Sequence, residues 1–165
     1  MKSPAEIYKI ISNHTQMRVD TCFQSAVEMV LKLNGIVGEE EYHEQSDVDL
    51  DGQGIAPFSQ RATASYHGKA VTFIEEKFPE ERFAANNNEA WERGVALLAE
   101  GIYPIYSLAW PTGGHHGFVG VPHPSEGMHF VTKKLLGKAH TKFACRLELW
   151  PHQAKTEILI IRPAP

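Results

Sequence analysis

The sequence predicts a single α+β domain spanning residues 1–165, with helices leading and an antiparallel β-sheet following. Two observations carry this. Up to Gly101, the clearest apolar patterns repeat every three to four residues, the spacing of helices with one buried side. From Ile102 onward the period falls to two, in short β-branched runs parted by Pro, Gly and polar turns, which is the spacing of strands. Helices followed by strands, rather than the two in alternation, mark the α+β class.

The first helix is predicted over 4–13, "PAEIYKIISN", where Ile7, Ile10 and Ile11 share a side and Ser3 before Pro4 suits a helix start. The second runs from Thr21 to about Leu33. Phe23, Ala26, Val27, Val30, Leu31 and Leu33 mark one broad apolar side, Asp20 or Thr21 is a competent N-cap, and Asn34-Gly35 closes it. A short helix is expected within 54–68, and 70–78, "AVTFIEEKF", fits a strand or a helix. A further helix over 86–101 has Asn88 as its cap and Gly101 as its stop. Strands are then expected at 102–110, 116–121, 128–136, 142–150 and 157–162, joined as a meander.

Composition narrows the function. A length of 165 residues with 42% hydrophobic and 22% charged content is that of one folded domain. The net charge is -4, from 16 basic and 20 acidic residues, and the acids gather between Glu39 and Asp51, which is expected to form a solvated loop. That balance disfavours a nucleic-acid partner, and no run of about 20 apolar residues indicates a membrane span. The N-terminal stretch, broken by Glu6, Lys9 and His14, lacks the pattern of a signal peptide. A cytoplasmic protein, or one exported by a signal-less route, is expected. Cys22 and Cys145 are then both expected to be free thiols.

Cys22 stands out by position. A cysteine in the first turn of a helix meets unpartnered backbone N–H groups and the positive end of the macrodipole, which favours thiolate, the attacking species in acyl transfer. Such chemistry also needs a proton-shuttling base and an oxyanion donor. Gln16, six residues upstream, is the candidate donor, and "GGHHGFVGVP" (113–122) offers His115 and His116 at the head of a strand.

The order of these segments resembles the papain-like cysteine peptidases, and within them the compact bacterial branch that includes the leader-processing domains of bacteriocin exporters. The residues that carry the likeness are Gln16, "CFQSAVEMVLKLNG" (22–35), "GIYPIYSL" (101–108) and "GHHGFVGV" (114–121). The resemblance implies a nucleophile helix packed on the sheet, Cys22 as nucleophile, Gln16 as oxyanion donor and His116 as base. His116 is preferred because His116, Phe118 and Gly120 alternate onto one side; His129 and His115 are the alternative bases. The implied substrate is a peptide or a side-chain amide, with no cofactor or metal.

Two departures from the family pattern stand out. Phe23 replaces the usual glycine after the nucleophile, which is expected to narrow or redirect substrate approach. The family also places an Asp or Asn about sixteen residues after the base to orient it. Counting from His116 reaches Thr132, and no Asp or Asn follows Asn88. Thr132 is therefore the candidate orienting residue, with Glu126, Glu148 and, for His129, Gln153 as others. A lapsed peptide-binding domain and a zinc site built from His115, His116, His123 and His129 are the competing readings.

Overall fold

In the computed structural model, residues 1–18, 21–46, 53–78, 89–109, 115–125, 127–132, 134–135, 142–144 and 156–164 are described. The chain forms a mixed α and antiparallel β fold, as the two periodicities predict.

Helix α1 (Pro4–Asn13) begins as its sequence dictates. Ser3 Oγ accepts from the Glu6 N–H while the Glu6 carboxylate accepts from the Ser3 N–H, a reciprocal cap. After the two-residue strand β1 (Thr15–Gln16) comes α2 (Cys22–Leu33). Gly35, at φ +68°, ends α2 in the left-handed conformation, and the Ile36 N–H turns back to the Leu31 carbonyl.

A short helix α3 (Ala56–Arg61) leads into the hairpin of β2 (Thr63–Tyr66) and β3 (Lys69–Phe78). Its two-residue turn holds both His67 and Gly68 at positive φ, the form that matches the twist of the flanking strands. The segment left open between helix and strand is thus a strand. Helix α4 (Glu89–Ala99) follows and ends just before Gly101; its expected cap, Asn88, lies outside the described residues.

The remaining strands are β4 (Ile105–Ala109), β5 (His115–His123), β6 (Gly127–Thr132), β7 (Lys134–Leu135), β8 (Lys142–Ala144) and β9 (Thr156–Pro163). The main sheet has the order β2-β3-β9-β4-β5-β6-β8, antiparallel throughout, while β7 pairs in parallel with β1. The expected C-terminal meander is therefore corrected in two respects. The β2-β3 hairpin precedes α4, and the last strand returns to the middle of the sheet, between β3 and β4. The physical reason lies in "EILIIR": Ile158, Leu159, Ile160 and Ile161 are all buried, so the strand needs cover on both sides.

Helices supply that cover. The side of the sheet bearing Tyr106, Phe118 and Phe130 packs under α4, with Trp91 edge-on to Phe130 and the Tyr106 hydroxyl donating to the Ala90 carbonyl. The opposite side bears Phe73, which meets Phe58 of α3, and Gly117, which meets Phe23 of α2. No helix among the described residues is long and apolar enough to cross a membrane.

Gly94 on α4 gives a test of this packing. A helix-interior glycine replaced by alanine ordinarily gains up to about 1 kcal/mol. Here a Cβ would sit 2.0 Å from the Tyr106 hydroxyl and 3.0 Å from Met128, so Gly94→Ala is expected to destabilise by about 1–3 kcal/mol in urea unfolding. A gain would contradict the packing of α4 on the sheet.

Candidate functional site

Cys22 opens α2 and is partly exposed, its neighbours Thr21 and Phe23 being buried. Thr21 occupies the N-cap position, but its side chain does not cap the helix. Its hydroxyl donates instead to the Arg18 carbonyl at 2.9 Å and lies 3.3 Å from Gln45 Oε1. Asp20, the other expected cap, lies outside the described residues.

The side chain of Phe23, expected to narrow or redirect substrate approach, packs inward. It is 5% exposed and turned into the sheet, where a Cβ on Gly117 would come within 3.1 Å of its ring and one on Gly54 within 3.8 Å. The ring occupies the volume that the missing side chain at Gly117 leaves, which fixes the first turn of α2 against the head of β5.

His115 and His116 open β5, paired with Ala109 and Leu108; their side chains lie outside the described residues. The alternation that groups 116 with Phe118 and Gly120 places those positions on the α4 side. A Cβ on Gly120 would meet Met128, which also borders Gly94 of α4. Position 115 has the parity of Gly117, on the α2 side.

His129 is placed elsewhere. It pairs with Val121, four residues and about 14 Å along β5 from Gly117, and its ring stacks on His123 at 3.7 Å. Thr132 ends β6, paired with Lys142, and its side chain is outside the described residues, as are Glu126, Cys145, Glu148 and Gln153 altogether. No group of three or more potential metal ligands converges among the described residues.

Gln16 is buried on β1, and β1 is held on one edge by β7, where Gln16 pairs with Leu135. Its Nε2 donates to the Arg18 carbonyl at 2.8 Å, so Arg18 O receives both the Gln16 amide and the Thr21 hydroxyl. Gln16 and Thr21 are thereby tied to one carbonyl.

A buried polar layer that sequence reasoning missed lies behind this loop. Thr21, Ser25, Glu28 and Lys32 form a stripe on α2 opposite its apolar side, and all four are buried. His14 bridges Ser25 and Lys32, with Nε2 2.9 Å from the Ser25 carbonyl and Nδ1 accepting from Lys32 Nζ at 3.0 Å. Lys32 Nζ also sits 3.9 Å over the Tyr42 ring, and burial lowers its pKa. Glu28 accepts from Gln45 Nε2 at 2.8 Å and from the Glu44 N–H at 3.0 Å. Burial raises its pKa above the ordinary value, and these two hydrogen bonds oppose the rise.

The acidic stretch is accordingly not wholly a solvated loop. Glu44 is buried beneath the Tyr66 hydroxyl, which donates to it, with Arg61 at 3.4 Å. The one sequence signal was the helical spacing of Thr21, Ser25, Glu28 and Lys32, which reads equally well as a solvent-facing side.

With this geometry in hand, comparison with protein-family models, curated proteins and solved structures finds no match to the chain.

The raised pKa of Glu28 sets a pH dependence. Between about pH 4.5 and its folded pKa, the folded state binds more protons at Glu28 than the unfolded chain does, so stability falls as pH rises through that window. Urea midpoints measured across it are expected to show this decline, and Glu28→Gln to remove its share. An unchanged slope in the variant would contradict the burial of the charge.

Proposed function

We propose that the chain is a small cysteine hydrolase or acyltransferase of the papain-like type, acting on a peptide or side-chain amide carbonyl. One observation carries the reading: the first turn of α2, with Cys22 at its start, is seated against the head of β5 by the Phe23–Gly117 contact, one or two residues from the two candidate histidines. Gln16, on β1, and Thr21, at the N-cap of the same helix, share the Arg18 carbonyl.

The chemistry follows from that placement. The Cys22 thiolate attacks the carbonyl carbon, and the oxyanion is held by the Cys22 N–H and the Gln16 amide. The imidazolium gives its proton to the departing amine, leaving a thioester on Cys22. Water or an amine then attacks the thioester, with the imidazole as base, and the thiolate is restored. Hydrolysis, deamidation and acyl transfer share these steps and differ only in acceptor.

Strand alternation supports His115 as the base rather than His116, because position 115 has the parity of Gly117 and α2 lies on that side. His129, displaced along the strand, is not adjacent to the start of α2. With no Asp or Asn after Asn88, the pair works as a Cys-His dyad. Thr132 keeps its candidacy as orienting residue only for a base at position 116.

The alternative is a papain-like domain that binds a peptide without cleaving it. It is favoured by the missing acidic or amide orienting group and by the engagement of the Gln16 amide with the Arg18 carbonyl. Alkylation separates the two. Iodoacetamide is expected to modify Cys22 about tenfold or more faster than Cys145 near neutral pH, with His115→Ala abolishing the difference and His116→Ala preserving it. Equal, slow modification of both cysteines would leave only the binding reading.

A further inference from the structure

The polar contacts of a single buried amide, Gln45, bear on both ends of the proposed site. Gln45 lies in a 3-10 turn (Glu44–Ser46) and is 3% exposed. Its Nε2 donates to the Thr15 carbonyl at 3.0 Å and to Glu28 Oε1 at 2.8 Å. Its Oε1 accepts from the Met17 N–H at 2.7 Å and lies 3.3 Å from Thr21 Oγ1, whose hydrogen goes to the Arg18 carbonyl at 2.9 Å. Both amide hydrogens are donated and the oxygen accepts a backbone N–H, so the amide is held at both ends.

The targets form a pattern. Along an extended strand, the C=O of one residue and the N–H two residues on point to the same edge, while the groups of the residue between them point to the other. Gln45 takes Thr15 C=O and Met17 N–H, the two groups flanking Gln16, and so serves one edge of β1 as a neighbouring strand would. Strand β7 serves the other edge. The same amide reaches Thr21, the residue before Cys22, and is anchored to Glu28 on the helix that Cys22 begins.

We propose that Gln45 is a positioning residue that fixes the Gln16 amide relative to Cys22, so that the oxyanion site exists before substrate arrives. This rests on the cysteine-hydrolase reading above. A carboxylate at position 45 has no hydrogen to donate to Glu28, and an apolar residue has none of these bonds, so an amide is the side chain that meets the geometry.

Two probes of Cys22 separate positioning from general support. Alkylation by iodoacetamide requires the thiolate and develops no oxyanion. Addition of Cys22 to a peptide aldehyde forms a hemithioacetal whose oxygen needs the oxyanion donors. Gln45→Met in the full chain is expected to leave the alkylation rate within about twofold and to weaken aldehyde binding on the order of tenfold to a hundredfold. Gln16→Ala should do the same, and the double variant should be no worse than Gln16→Ala, because Gln45 acts through Gln16. Thr21→Val, which removes the hydroxyl near Gln45 Oε1 together with its bond to the Arg18 carbonyl, provides a milder second variant should Gln45→Met fail to fold, and a smaller loss confined to the aldehyde is expected.

Wild-type reactivity with both probes, matched by both variants or lost in parallel for both probes, would overturn the positioning role alone. A wild-type Cys22 inert to the aldehyde and no faster than Cys145 toward iodoacetamide would overturn the hydrolase reading and this inference with it.

Discussion

The hydrogen bond from Gln45 to Glu28 is the interaction on which the site's surroundings depend. Helix α2 is buried on its polar side as well as its apolar one, and a carboxylate two turns into a buried helix is costly unless donors meet it. Those donors come from the 3-10 turn, the Gln45 amide and the Glu44 N–H, so the turn must lie over α2. Once there, Gln45 has bonds left to make, and it makes them to the backbone around Gln16, with the Thr21 hydroxyl 3.3 Å away. Satisfying one buried charge thus arranges the backbone around Gln16 and the start of the candidate nucleophile's helix. His14 and Lys32 close the same layer one turn further on, where the imidazole accepts from the ammonium and α1 is tied to α2.

The sheet contributes the other half of the arrangement. Both of its sides are covered, by α4 on one and by α2 and α3 on the other, so the buried positions Gly117 to Val121 of β5 alternate between the two by parity. Gly117 leaves room on the α2 side, and Phe23 takes it. An aromatic residue directly after the candidate nucleophile therefore serves as a wedge that locks the helix start to the strand head. Packing and site geometry are one contact here, and a side chain at position 117 would disturb both.

Much of this was legible in the sequence. The Ser3-Pro4 helix start, the apolar stripe of α2 and its Asn34-Gly35 ending are local signals, and local physics sets those elements. The continuous run "EILIIR" carried the sign of a central strand, yet its place between β3 and β4 depends on pairings some 50 to 90 residues away in the chain that no local pattern encodes. The order of Gln16, Cys22 and the paired histidines was readable, but the choice between His115 and His116 was not. Alternation separates the two positions; which side α2 occupies is known only from the fold. Gln45 was invisible for a related reason. A glutamine in an acidic stretch reads as solvent-exposed, and the stripe of Thr21, Ser25, Glu28 and Lys32 reads as the wet side of a helix until the loop that covers it is seen.

The distance between the Cys22 sulfur and the nearer ring nitrogen of His115, measured in a crystal structure of the full chain, tests the central claim most directly. A separation within about 4 Å, allowing for loose geometry without substrate, is the predicted result. A separation beyond roughly 7 Å, or an imidazole of His116 in that place, would contradict it.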